Sequence, residues 1–171
     1  IEYYKDKLDI TNFVRVIPNM PSMINQGMSA WYPYNCSNED LITTREILSS
    51  IGNELQLEQE SDIDIATAIS GSGPSYLFLL AESMIDSGVH LGLTRTKSRY
   101  LVLNTLLGSS NYLCDNKYKD KNISEMKNEI TSPGGTTAEA LYTLEKQSFR
   151  TSVNDAIFAA YYKSKKLNPM K

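Results

Sequence analysis

The sequence predicts a mainly α-helical chain that opens with a short α/β segment, and a few observations carry that prediction. Strand signals are confined to residues 1–58 or so. From there to the end, apolar residues recur at helical rather than alternating spacing. In addition, the segment SYLFLLA, Ser75 to Ala81, is apolar on nearly every side of a helix. A helix of that kind must be covered all round, which a helical domain of ~110 residues does not readily achieve alone. The sequence therefore points to burial against a partner chain, with a central helix in a monomeric bundle as the alternative.

The elements follow in order. VRVIP, 14–18, reads as a strand by its β-branched content, and Asn19-Met20-Pro21 ends it. GMSAWYP, 27–33, reads as a second strand. Ser37 with Asp40 forms a capping-box pattern before LITTREILSSIG, a helix expected to end at Gly52. Alternation in NELQLEQ gives a third strand. Ser61 is placed to cap a short helix through Ala68, with the acidic DID at its start. Pro74 suits the first turn of a helix that Gly88 is placed to stop. Thr94 caps a long helix whose stripe includes Leu103, Leu106, Leu107 and Leu113. Short helices follow at 123–130 and 137–146, and Val153, Ile157, Ala160 and Tyr161 mark the last one.

Composition narrows the function. A net charge of -3, with no block of like charge, leaves no electrostatic footprint for nucleic acid or an anionic membrane. No apolar run is long enough to span a bilayer. Cys36, Cys114 and His90 are too few for a disulfide framework or a zinc site of familiar spacing, which fits a reducing compartment such as the cytoplasm. The partner expected is a small molecule or another protein. The opening IEYYKDKLD lacks a methionine, so a fragment of a longer protein is expected.

Several motifs invite a chemical reading. SGSGPSY, 70–76, lacks both the third glycine of a dinucleotide fingerprint and the lysine of a phosphate loop, so a tight helix-to-helix turn is favoured. His90 has no identifiable partner, and neither cysteine has the basic neighbour of an activated thiolate. Glu58, Glu60, Asp62 and Asp64 read first as a solvated, helix-capping run. They lie at the junction of the two halves, however, where ligand clefts form, and that keeps Glu60 in view.

ITSPGGTTAEAL, 130–141, admits two readings. Thr136 and Glu139 have capping-box spacing, so the stretch reads as a helix start after a glycine turn. The same backbone N–H groups also form a ready site for an anion such as a carboxylate. Gly134 and Gly135 would permit close approach, and Ser132, Thr136 and Thr137 would offer hydroxyls.

RVIPNMP, QGMSAWYP, SGSGPSYLFLLAESMIDSGVHLGL and TSPGGTTAEALYTLEKQSFR together resemble the pyrroline-5-carboxylate reductase family, in order and spacing, over roughly residues 13–167. The resemblance implies reduction of 1-pyrroline-5-carboxylate to L-proline with NADPH or NADH. It implies residues 1–60 as the last strands and helix of a Rossmann-type dinucleotide-binding domain. Residues 61–171 would be a helical dimerisation domain like the C-terminal domain of 6-phosphogluconate dehydrogenase, forming a homodimer or a larger assembly such as a decamer.

By position, the resemblance places the substrate at Ser132, Gly134, Gly135, Thr136 and Thr137, with Thr137 on the ring nitrogen and Glu60 as a further contact. Glu129 falls where the family has a cofactor contact that can be asparagine, and Met20 falls where threonine is common. The alternatives are a catalytically silent dimerisation fragment and a related imine or β-hydroxyacid dehydrogenase.

Overall fold

The structure, a computed structural model, describes residues 7, 8 and 10–167. The outer bounds of the two expected domains, 1 and 171, lie outside the described residues. The fold comprises two compact units, Leu77–Val153 and the described residues on either side of it.

The first unit is built on a three-stranded sheet in the order β1 (Phe13–Ile17), β2 (Gly27–Tyr34), β3 (Gly52–Gln56). β1 runs antiparallel to β2 with Phe13 opposite Tyr34, and β2 runs parallel to β3 with Gly27 opposite Gly52. As the central strand, β2 carries the buried residues Ser29, Ala30 and Trp31. Trp31 is fully buried, and its indole N–H donates to Glu54 Oε2 at 2.5 Å, which satisfies the ring's polar edge inside the sheet. Pro33 is tolerated because β3 pairs with β2 only as far as Trp31.

The parallel pair needs a crossover, and α1 (Asn38–Ser49) supplies it. Its capping box forms as expected. Ser37 N–H donates to Asp40 Oδ2 at 2.8 Å, and Asp40 N–H donates to Ser37 Oγ at 3.2 Å. Hydrogen bonds from the Ser37 backbone and then its hydroxyl hold the Asp40 carboxyl below its ordinary pKa.

Gly52 does not stop this helix, which ends earlier at Ser49. It opens β3 instead. Its φ is +144°, and a Cβ there would lie 2.2 Å from the carbonyl oxygen and 2.4 Å from the nitrogen of Gly27. Only glycine lets the two strands start that close together.

α2 (Asp62–Ala66) is short, and Ser61 does not cap it. Ser61 itself has helical dihedrals, so its side chain is not aimed at the first N–H groups as a cap would be. The chain then passes through a π-type turn, Thr67–Gly71, in which Ser72 N–H reaches Thr67 O at 2.8 Å. SGSGP is thus the tight turn between helices. Asn19 braces it, accepting from Met28 N–H at 2.9 Å and donating to Ser70 Oγ at 3.3 Å. Buried Asp64 accepts a hydrogen bond of 2.6 Å from Ser164 in α7 (Phe149–Leu167), which ties the chain's last helix into this unit.

The second unit holds most of α3 (Gly73–His90), then α4 (Arg95–Cys114), α5 (Ile123–Glu129) and α6 (Thr136–Lys146). α3 runs through Gly88 to His90, and the reversal comes at Gly92, whose φ is +104°. Gly88 serves packing instead. A Cβ there would sit 2.2 Å from Ser98 Oγ, the hydroxyl that donates to Ile85 O at 2.8 Å. Thr94 caps α4 as expected, accepting from Lys97 N–H.

The core between α3 and α4 is Ala81, Ile85 and Val102 with Leu106 against them. The expected leucine stripe is therefore inward only at Leu106, while Leu103, Leu107 and Leu113 are exposed. Helical spacing located an apolar stripe but did not say which side the neighbouring helix covers. On α3, Leu77, Phe78 and Leu79 are exposed by 57%, 57% and 65%. The all-round burial that SYLFLLA demands is not met within one chain, which disfavours the monomeric bundle.

Candidate functional site

The SPGGTT loop joins α5 to α6 and lies wholly in the second unit. Asn122 caps α5, accepting from Ser124 N–H at 2.8 Å, and the helix closes at Glu129 with Ile130 as its C-cap. Thr131 folds back on α5: its N–H donates to Asn128 O at 3.0 Å and its hydroxyl to Lys127 O at 2.7 Å. Gly134 then takes φ +69°, a left-handed conformation that costs glycine nothing. Gly135 N–H closes the turn onto Ser132 O at 3.0 Å. A Cβ on Gly135 would approach that same oxygen to 3.1 Å, so the turn is drawn tight by two glycines for two reasons.

The capping box expected from Thr136 and Glu139 does not form. Gly135, with extended dihedrals, is the N-cap, and no side chain caps the helix. Thr136 is already the first helical residue, so its hydroxyl is one position too late to reach back. Glu139 N–H donates to Gly135 O at 3.2 Å. Among the described residues, the N–H groups of Thr136, Thr137 and Ala138 have no acceptor, and the hydroxyls of Ser132, Thr136 and Thr137 have no partner.

The start of α6 thus presents uncommitted donors and the positive end of a helix of 11 residues. That arrangement suits a carboxylate. Thr137 is half-buried, whereas Thr136 and Ser132 are exposed.

The structure brings Glu129, Ser132, Gly134, Gly135, Thr136 and Thr137 into one helix–loop–helix segment. Glu60 belongs to the other unit, where Arg15 Nη1 on β1 donates to its Oε1 at 2.8 Å with both side chains about three-quarters covered. Sequence reading missed Arg15, because nothing in a strand residue announces a partner in a distant loop. It also missed Lys121, whose ammonium donates to Glu129 Oε1. Lys121 follows a 3-10 turn, so the pair has no helical spacing to reveal it. Among the described residues there is no cluster of metal-ligating side chains, and no helix is long and apolar enough to cross a membrane.

Helices whose apolar faces stay open have the form of an assembly domain. Residues 60–167 match the family model described as pyrroline-5-carboxylate reductase dimerisation, and the chain belongs to that family.

Among its relatives, pyrroline-5-carboxylate reductase of Synechocystis is 36% identical over 155 residues, covering 90% of this chain and 57% of the relative. The enzyme of the same name from Mycobacterium tuberculosis is 34% identical over 183 residues, covering 98% and 62%. The solved Plasmodium falciparum pyrroline carboxylate reductase, with NADP bound, superposes with a TM-score of 0.85 at 42% identity, over 91% of this chain and 58% of that one. The Coxiella burnetii enzyme gives 0.87 at 28% identity, over 95% and 60%. The chain therefore spans about three-fifths of the length of the relatives it matches.

Proposed function

We propose that this chain supplies the substrate-binding and dimerising part of a pyrroline-5-carboxylate reductase, which reduces 1-pyrroline-5-carboxylate to L-proline with NADPH or NADH. The observation that carries the reading is the uncapped start of α6, where three neighbouring N–H groups and free hydroxyls meet behind a two-glycine turn. Family membership and the names of the relatives supply the substrate.

In this reading the substrate carboxylate takes the N–H groups of Thr136, Thr137 and Ala138, with Ser132 and Thr136 hydroxyls beside it and Gly134 and Gly135 permitting its approach. Thr137 hydrogen-bonds the ring nitrogen. Its hydroxyl is a weak acid, so its part is to orient the imine and favour the protonated form, which accepts hydride more readily. Glu60 is the further substrate contact that the family resemblance implies, and in its own unit its carboxylate accepts from Arg15 at 2.8 Å.

Bound nicotinamide supplies the hydride to the imine carbon. Of the residues here, Glu129 is the one assigned to the cofactor. A carboxylate only accepts hydrogen bonds, so it fits the carboxamide of the nicotinamide and does not fit a phosphate.

Residues 1–60 as the end of the cofactor domain and 61–171 as the helical domain complete the proposal. The open faces of α3 and α4 support a homodimer, with larger assemblies such as a decamer built from it. Two free thiols, Cys36 and Cys114, suit a reducing cytoplasm.

The test is NAD(P)H oxidation by the intact enzyme with pyrroline-5-carboxylate. Thr137→Ala is expected to lower turnover by about tenfold or more, the worth of one hydrogen bond to a charged group, while Thr137→Ser keeps most of it. Unchanged kinetics in Thr137→Ala would remove that residue from the mechanism.

A further inference from the structure

Glu129 ends α5, where the carbonyl end of the helix already carries partial negative charge. A carboxylate there is electrostatically misplaced unless a cation answers it. Lys121 is that cation, with its ammonium donating to Glu129 Oε1. The lysine is steadied from the other side as well: Nζ lies 5.9 Å from the Tyr118 ring, which packs on Tyr112 with centroids 4.4 Å apart.

The hydrogen bond to Glu129 raises the Lys121 pKa and keeps it charged. Past Glu129 the chain stays tied to α5 through both Thr131 bonds before it enters the SPGGTT turn. Glu139, the other carboxylate near the turn, lies in the first turn of α6, where the helix dipole favours it.

We propose that Lys121 is a positioning residue that holds and neutralises the Glu129 carboxylate, so that the adjoining α6 loop stays receptive to an anionic substrate. The proposal rests on the reading of that loop as the substrate site. With the lysine removed, Glu129 becomes an uncompensated charge at the end of α5 that leads into the α6 loop, and it repels a carboxylate bound at the start of α6. An exposed ion pair contributes little to stability, so the effect falls on affinity.

Steady-state kinetics of the intact enzyme with pyrroline-5-carboxylate at two salt concentrations test this. Lys121→Met is expected to raise KM for the imino acid about threefold to tenfold at low salt, with kcat changed less than about twofold. The rise should shrink toward wild type at about 0.5 M salt. Adding Glu129→Gln, which removes the charge but keeps an oxygen that can accept from the cofactor, is expected to bring KM for the imino acid back down at saturating NAD(P)H. An unmoved KM in Lys121→Met would overturn the proposal. So would a raised KM that Glu129→Gln fails to restore, because the lysine would then bind substrate itself. Thr137→Ala in the same assay separates the two levels. If it loses turnover while Lys121→Met is silent, the lysine proposal alone falls; if both are silent, the substrate-site reading falls with it.

Discussion

Replacing Gly52 with alanine tests how the sheet is held together. The substitution adds one methyl group where φ is +144° and where backbone atoms of Gly27 stand 2.2, 2.4 and 2.7 Å away. Conformational strain of this sort costs about 1–3 kcal/mol. Overpacking costs about 1–3 kcal/mol more, and here no side chain is present to swing aside. The sum, roughly 2–6 kcal/mol, is a large part of the ~5–15 kcal/mol that holds a domain folded.

Gly92→Ala is the control, since its φ is +104° but a Cβ there meets nothing within 4 Å. It should show the strain alone, about 1–3 kcal/mol. Urea unfolding followed by tryptophan emission is a direct assay, because the protein's single tryptophan, Trp31, is buried in the same strand, at the other end of the β2–β3 ladder. With slopes of ~1–3 kcal/mol/M, the Gly52→Ala midpoint should fall by about 1 M or more. If Gly52→Ala is no more destabilising than Gly92→Ala, the steric argument for the Gly27–Gly52 contact is wrong.

The other predictions concern the cap, the core and the interface. Ser37→Ala should cost about 1 kcal/mol by chemical denaturation. The Asp40 pKa is lowered by Ser37, so its contribution is present above the unfolded carboxyl pKa and is lost as pH falls through the folded value. Ser37→Ala keeps the backbone N–H that lowers the Asp40 pKa most and removes the hydroxyl's bond to the carboxylate. In an acid titration its deficit should therefore shrink at low pH to the part owed to the lost Asp40 N–H bond. A deficit that grows as pH falls would refute the capping-box account. Trp31→Ala should cost about 3–5 kcal/mol, read from thermal or urea unfolding with circular dichroism. Leu79→Glu, on the exposed face of α3, should shift sedimentation toward monomer while leaving helical content intact. An unchanged oligomer would move the interface elsewhere.

Much of the architecture was legible because its signals are local. The Ser37–Asp40 box, the Thr94 cap and Pro74 in the first turn of α3 each depend on residues within one helical turn, and the structure forms all of them. Glycines were read less well. Gly52 and Gly88 were expected to stop helices, yet each instead admits a neighbour, Gly27 in one case and Ser98 in the other. A glycine that ends a helix and one that lets another strand approach are identical in sequence. Ser61 and Thr136 failed as caps for a related reason: capping depends on backbone dihedrals at one residue, and a shift of one position in helix register removes it.

By itself, then, the sequence determined the mainly helical class, the order of the elements and the glycine turn before α6. Those follow from periodicity and from turn chemistry that acts over a few residues. Tertiary structure alone decided that the turn leaves the donors of Thr136, Thr137 and Ala138 uncommitted, that Arg15 holds Glu60, and that Lys121 holds Glu129. Pairings of that kind depend on where the chain returns in space, and charged side chains carry no periodic signal of the partner they will meet.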